Sequence, residues 1–505
     1  MPLLPEKCTG AYVGKKVSAE GTTVIARSED QRVSVYNKLF FVEKRKSAPA
    51  RFLSDTGKGQ CGRYPIPNDT LKYTYLLDGN SIGDGPYPAC CMNEQGLTVI
   101  GTVTTFVSDE YAAIDPLVED GTGIREAVIP SLIACRASTA SEGVRVLAAY
   151  LDEFGSGEYN TVLLSDREEA WIFEIYGGHS YAAQRMPEDK MALFGNQIML
   201  GWTDLTAGND RFFSANLPTC LSRLSAPVRD ERGRIHLARS INPPPRLGYS
   251  NLRNWIGLRR FAAAFDEAYS DDTFYPLFFT PEKKVSVTDL MTVFGDRYEN
   301  TPFDMALPQN AACRPIGVSR QTDVHIVQTF SDLPGRCCAL QWLAMSSAEH
   351  AIFIPAFSGI TETYEKFRVD HPSPGKFGDG FYDLCKTINS IASTDRAFLS
   401  RGVREFNLSE EKKMLKEMLA AKDGIREAYR ISDEKGDAFV TSLAESTAKE
   451  QYEKARDLLA RLCYTQANNL NDYPAGENKT PFAMPGFAAE DKQTSSSPAT
   501  NPMIL

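Results

Sequence analysis

Two β-branched runs, Thr9 to Val13 and Thr22 to Arg27, flank the turn-forming stretch Ser18-Ala19-Glu20-Gly21. That pattern predicts a β-hairpin. Asn93-Glu94-Gln95-Gly96 marks a second turn, and Leu97 to Thr104 then alternates apolar and polar side chains, as a half-buried strand does. The pattern changes after about residue 106. Ile124 to Arg136 and Ser141 to Phe154 carry apolar residues at helical spacing, with Val144, Leu147, Leu151 and Phe154 on one stripe. Short strands follow at Thr161 to Leu164, Ala170 to Tyr176, Tyr181 to Arg185 and Met191 to Phe194. Their connections are too short for parallel crossovers, so they predict an antiparallel meander. A further strand pair is expected at His325 to Thr329 and Ala351 to Pro355.

From about residue 380 the periodicity becomes helical. Ser409 to Ala421 and Asp437 to Cys463 predict amphipathic helices, the second with Leu443, Tyr452, Ala455, Leu459 and Leu462 facing a core. Past about residue 470, Pro, Ser, Thr, Asn and Ala dominate, which predicts a disordered tail. Strands, a helix pair and strands again imply antiparallel sheets with helices layered on their faces.

Composition narrows the function. The 505 residues are 42% hydrophobic and 24% charged, which suffices for a large core without disulfides or metals. A net charge of −10 lacks the basic footprint of a nucleic-acid binder. No apolar run reaches membrane-spanning length, and the first residues form no secretory signal, so a cytoplasmic protein is expected. The eleven cysteines are an odd number without a framework spacing, and they read as reduced thiols. The five histidines form no metal-ligand spacing. Neither a metal nor an organic cofactor is expected.

Candidate chemistry begins at Cys8. A cysteine there is usually a small buried apolar residue, which would leave Arg27 and Asp30 as a surface ion pair of ~0–1 kcal/mol. A thiol acts as a nucleophile only as thiolate, and so needs a base or a cation beside it. Among the histidines only His325 lies in a plausible strand, where a structural role is the commoner one. Cleavage before Cys8 would supply another base, because a free α-amino group has a pKa of about 7.7–8.0. Arg27, on the antiparallel neighbour, would then stabilise the thiolate, and Asp30 would hold the amine.

The opening stretch CTGAYVGKKVSAEGTTVIARSED resembles the start of the N-terminal-nucleophile (Ntn) cysteine dipeptidases, the family of bacterial dipeptidase A and, more distantly, the secernins. YPACCMNEQGLTVIGTVT (87–104), GNQIMLG (195–201), DRYENTPFD (296–304) and IFIPAFSGIT (352–361) continue the resemblance in the same order. It covers roughly residues 8–400. The resemblance implies an αββα four-layer sandwich of antiparallel sheets, here with a C-terminal helical extension over 401–470 and a tail over 471–505. It also implies a leader, residues 1–7, removed to expose Cys8 as the nucleophile, and hydrolysis of dipeptides without a cofactor. On the same resemblance Arg27 and Asp30 join the site, and Asn196 helps to form the oxyanion hole.

The related amidases carry a second oxyanion Asn where this chain has Val103. A backbone N–H there, or the hydroxyl of Thr102 or Thr104, must replace it. A further arginine of those relatives falls near Arg259 and Arg260, and the choice between them stays open. Glu119-Asp120, Arg297 and Glu299 are candidates for holding the charged ends of a dipeptide, or else solvated surface charges. Other small amides, and a secernin-like regulatory role, remain as alternative functions, and the oligomeric state is open.

Overall fold

The computed structural model describes residues 7–30, 37–49, 51–55, 57–79, 87–242, 248–370, 378–469 and 479–485. Residues 1–6 of the expected leader lie outside this set, as do residue 470 at the end of the expected helical extension and 471–478 and 486–505 of the expected tail. Two large antiparallel sheets dominate. In chain order their strands are β1 (Lys7–Val13), β2 (Thr23–Asp30), β3 (Asn37–Glu43), β4 (Tyr73–Gly79), β5 (Cys90–Asn93), β6 (Thr98–Thr104) and β7 (Asn160–Ser165). Then come β8 (Ala170–Ile175), β9 (Tyr181–Arg185), β10 (Met191–Phe194), β11 (Arg211–Phe213), β12 (Gln321–Thr329), β13 (Ala339–Ala344) and β14 (Ile354–Phe357). The first sheet runs β10-β1-β2-β12-β13-β14, and the second β11-β9-β8-β7-β6-β5-β4-β3.

Side-chain alternation explains how the sheets pack. On the first sheet Cys8, Tyr12, Ile25 and Val327 share one apolar cluster with Ile100, Val103, Leu163 and Ile172 of the second. The intervening residues Ala11, Val13, Val24, Ala26, Val324 and Ile326 join a different cluster, which contains the helices that follow. On the second sheet Val99, Val162, Leu164 and Phe173 pack instead against α1 (Ile129–Ala134) and α2 (Ala140–Phe154). Successive residues of a strand point to opposite faces, so each sheet serves two cores at once.

Five more helices matter here: α3 (Gly248–Phe261), α4 (Val287–Phe294), α5 (Phe381–Ala392), α6 (Arg396–Ala420) and α7 (Asp433–Asn469). Tyr452, Ala455 and Leu462 of α7 are buried in the cluster on the first sheet, with Leu443 and Leu459 partly buried beside them, so the predicted face is the packed one. The C-terminal helices are also pinned by charge. Asp437 of α7 lies 3.4 Å from the Lys72 ammonium and takes two bonds from Arg336.

The structure departs from the sequence expectations in three places. The fourth strand of the expected meander, β10, leaves the second sheet: β9 pairs with β11, and β10 crosses to pair with β1. Gly10 stands opposite Phe194 in that pairing, and a Cβ there would lie 2.4 Å from the Phe194 ring, so the glycine is what lets the ring lie across β1. Next, β12 and β14 are not partners. The unforeseen strand β13 separates them, pairing with both. Finally, only Ile129–Ala134 of the expected 124–136 helix is helical. Pro130 is tolerated in a first turn but not deeper, and Ile124 bridges to Ser156 instead.

Candidate active site

Cys8 lies on β1 directly across from Glu29 of β2, which faces Asp323 of β12. One step along, Gly10, Arg27 and His325 form the neighbouring row. All five side-chain-bearing residues point to the same side of the first sheet, toward the second. This row is chemically unusual for the space between two sheets: a thiol, a guanidinium, two carboxylates and an imidazole, every one of them buried.

Arg27 Nη2 donates to Cys8 Sγ at 3.2 Å, and its Nη1 lies 3.7 Å from Glu29 Oε2. Its Nε–H and Nη1–H have no hydrogen-bond acceptor among the described residues. Burial disfavours the charge of this guanidinium, but Cys8 when ionised and Glu29 more than offset it, so its pKa lies above the ordinary value; while Cys8 is a thiol, Glu29 supplies the neighbouring negative charge. The thiol behaves the opposite way. Burial pushes it up to about 11; Arg27 pulls it down, while Glu126, Asp30 and Glu29 push it further up. With Lys7 still preceding it in β1, Cys8 is therefore a thiol, not a thiolate, at neutral pH.

His325 Nδ1 sits 2.7 Å from Asp323 Oδ2, which assigns the ring proton to Nδ1. Burial lowers the imidazole pKa, so the ring is neutral, and its Nε2 has no partner among the described residues. No bond joins it to Cys8.

The second group of contacts holds the Cys8 backbone. β10 ends at Phe194, and two residues later Asn196 accepts the Cys8 N–H on Oδ1 at 3.1 Å. Asn196 Nδ2 donates to the Thr104 carbonyl at 2.8 Å. The crossover of β10 into the first sheet is thus what carries Asn196 to a residue 188 positions away. Arg253 of α3 reaches the same place: Nη2 donates to Asn196 Oδ1 at 2.8 Å, and Nη1 donates to Thr9 Oγ1 at 2.9 Å and to the Cys8 carbonyl oxygen. Gly195 permits this approach, since a Cβ there would lie 2.6 Å from Arg253 Nη2.

Asp30 pairs with Lys7 in the β1–β2 register and so flanks the Lys7–Cys8 peptide bond, on the face opposite the Cys8 side chain. Its carboxylate is fully buried against the Arg314 guanidinium. Burial pushes its pKa up, and Arg314 and Arg253 pull it back. Near Val103 the β6–β7 register slips, with Ile100 opposite Leu163 but Val103 opposite Thr161. This β-bulge keeps both Ile100 and Val103 on the inner face although they are three residues apart. The Thr102 side chain lies outside the described residues.

Of the sequence candidates, Cys8, Arg27, Asp30 and Asn196 come together. Arg259 and Arg260 do not join them: Arg259 donates to the Phe265 carbonyl, and Arg260 pairs with Asp296. Arg253, two turns before Arg260 on the same helix, is the arginine of α3 that reaches Cys8. Glu29, Asp323 and Arg253 escaped sequence reasoning because charged residues read as solvent-facing. Ser250, Asn251, Arg253 and Asn254 are all buried in α3, and that burial is not signalled by the sequence. Asp120 caps its own turn through Thr122 on the surface, and Arg297 and Glu299 line a separate cavity.

A thiol paired with a guanidinium, and held by its own backbone nitrogen and carbonyl, is an arrangement suited to acyl transfer. The model for peptidase family C69 matches residues 7–408, and the chain belongs to that family, the cysteine dipeptidase family which the sequence resembles. Curated relatives include a probable dipeptidase B of Streptococcus pyogenes serotype M1, 28% identical over 466 residues, which are 88% of this chain and 90% of the relative. A dipeptidase of Bifidobacterium longum is 26% identical, with 92% and 95% covered. Among solved structures, a mutant conjugated bile acid hydrolase of Clostridium perfringens aligns at 12% identity with a TM-score of 0.28, covering 74% of this chain and 98% of that one.

Proposed function

We propose that the chain is a cysteine dipeptidase of the Ntn-hydrolase αββα type, whose nucleophile is Cys8 after cleavage of the Lys7–Cys8 bond. One observation carries this reading: Arg27 meets the Cys8 sulfur, while Asn196 meets its nitrogen and Arg253 its carbonyl oxygen. A structural cysteine needs none of these. The thiol pushed up to about 11 explains why cleavage matters. An amide nitrogen cannot take a proton, whereas the freed α-amine, with a pKa of about 7.7–8.0, can.

In the proposed reaction the α-amine takes the thiol proton, and Cys8 Sγ attacks the scissile carbonyl of the dipeptide. Arg27 stabilises the thiolate as it forms. The oxyanion is met by the second N–H of Asn196 Nδ2 and a backbone N–H at the Val103 bulge; one such donor is worth ~3–4 kcal/mol in the transition state. The α-ammonium then protonates the departing amino group, leaving a thioester on Cys8. Water, deprotonated by the same amine, attacks the thioester, and the proton returns to the sulfur as the acid product leaves. Asp30, beside the new terminus, holds the ammonium.

Intact mass and N-terminal sequencing of the purified chain test the cleavage: the expected product begins at Cys8. Residues 1–7 retained in an enzyme that hydrolyses dipeptides would remove the amine from the mechanism. In a panel of dipeptides and acylated amides, dipeptides are the expected substrates, and Cys8→Ala reduces the rate to background. Normal hydrolysis by Cys8→Ser would sink the nucleophile assignment.

A further inference from the structure

In the DRYENTPFD stretch (296–304), Asp296 pairs with Arg260 and Glu299 with Arg404, away from Cys8. Its tyrosine reaches the site through two further residues. Tyr298 is fully buried and donates its hydroxyl to the Arg314 carbonyl at 2.7 Å. The Arg314 guanidinium in turn pairs with the Asp30 carboxylate, which flanks the Lys7–Cys8 bond. We infer that Arg314, held by Tyr298, is a positioning residue of the reaction: it occupies one oxygen of Asp30 and balances its charge, leaving the other oxygen for the Cys8 amine that cleavage creates. This inference rests on the reading of Cys8 as the nucleophile exposed by cleavage.

The two oxygens of Asp30 are used differently. Oδ2 accepts from Arg314 Nη2, whereas Oδ1 is buried with no hydrogen-bond partner among the described residues. Gln321 of β12 stands across from Asp30 on one side, but its amide is engaged elsewhere. Its Nε2 donates to the Phe294 and Ile316 carbonyls, and its Oε1 accepts the Ala348 N–H. On the other side the register places Lys7, the residue that cleavage removes. The new terminal ammonium has three donors. Asn196 Oδ1, already 3.1 Å from the Cys8 nitrogen, takes one of them, and Asp30 Oδ1 takes another. The acceptor left unsatisfied beside the scissile bond is thus satisfied by the product of its cleavage. Tyr298 is also held in an unusual way. Its φ of 66° lies in the left-handed region that favours glycine, and a non-glycine residue keeps such a conformation only where its surroundings impose it. Here Asp296 Oδ1 accepts the Tyr298 N–H, the Tyr298 carbonyl accepts the Thr301 hydroxyl at 2.7 Å, and the ring hydroxyl is spent on Arg314.

Charge gives Arg314 its second task. A lone carboxylate against the new terminus would hold it as ammonium, which cannot act as a base. Burial pushes the Asp30 pKa up, and Arg314, Arg253 of α3, the Ser28 hydroxyl and Arg320 pull it back. The other charges that act on Cys8 are Arg27, Glu126 and Glu29. With Arg314 in place, Asp30 orients the amine without adding a net negative charge beside it, and the amine remains a base near neutral pH. Without Arg314 a fixed positive charge is lost, so protons bind more tightly whichever of the two groups carries them.

The test uses the full chain, with kcat/KM for L-leucyl-L-leucine followed from about pH 5 to about pH 9 and expressed per cleaved chain, as counted by intact mass. The acid limb of that profile reports the base of the free enzyme. Arg314→Met is expected to move the limb up by about one pH unit or more, and Arg314→Lys, which keeps the charge, to return it to within about 0.3 units of the parent. A residue that only supports the fold would lower Tm and leave the limb in place, so an unmoved limb in Arg314→Met overturns the inference. Where Arg314→Met is not recovered folded and cleaved, Tyr298→Phe decides, since it removes only the hydroxyl on the Arg314 carbonyl. It is expected to lower kcat at least about threefold at unchanged KM, with the limb displaced upward. The parent's kcat and limb in Tyr298→Phe would likewise overturn the inference. A parent chain that keeps residues 1–7, or that hydrolyses no dipeptide, fails the reading of Cys8 instead, and does so before any variant is made.

Discussion

The two faces of the first sheet are built from the same strands yet obey different rules. On β1, β2 and β12 the face toward the helices carries Ala11, Val13, Val24, Ala26, Val324 and Ile326, ordinary core residues. The face toward the second sheet carries Cys8, Arg27, Glu29, Asp323 and His325, equally buried. The first face contributes stability through apolar area, about 25 cal/mol per Å². The second consumes it, because charges brought out of water must be compensated by one another. A single alternation therefore separates a wholly apolar stretch of the sheet from the one that holds the buried thiol and charges, with Asp30 the one site candidate on the helix side.

Four substitutions test that division. Arg27→Leu on the inner face strands Glu29 among buried acids, and a loss of ~3–5 kcal/mol in urea unfolding is expected, with hydrolysis abolished. Alkylation of Cys8 by iodoacetamide should slow as well; unchanged alkylation would mean that Arg27 does not govern the thiol. Asn196→Ala, also inward, is expected to lower kcat by about 10²–10³-fold. Ile326→Ala, one residue from His325 but on the outer face, should cost ~2–5 kcal/mol of stability and leave kcat/KM of the folded enzyme within about twofold. A large kcat loss there would break the division between the faces.

The smallest effect concerns pH. Burial pushes Glu411, on α6 beyond the outer face, up to about 8. A carboxyl raised in this way favours the folded state fully below its unfolded pKa of about 4.3, and loses that contribution as the pH rises toward 8. Glu411→Gln should therefore narrow the drop in Tm between pH 5 and pH 8. An identical drop in both proteins would show that Glu411 is ionised in the native chain.

Much of this arrangement was legible in the sequence, and unevenly. Tyr181–Arg185 and Met191–Phe194 are strands at the predicted bounds, and the packed stripe of α7 is the predicted one. Cys8, Arg27 and Asp30 could be read as neighbours because they lie on the two strands of one hairpin. Asn196 was recognised by resemblance, although the expected meander would have left it in the wrong sheet. Arg253 was missed because a buried arginine in a helix has no periodic signature; its burial is compensated by partners far away in the chain.

Local chemistry in the sequence by itself determined the elements. Turn residues set the hairpin, alternation set which side chains share a face, and helical spacing set the packed side of the C-terminal helices. Those rules act over a few residues and need no knowledge of the rest of the chain. Only the tertiary structure decided which strands became partners. β9 found β11, β10 was left for the open edge of β1, and that exchange carried Asn196 to Cys8. Strand edges are satisfied by whichever partner the packed whole brings near, and no short stretch of sequence records that competition.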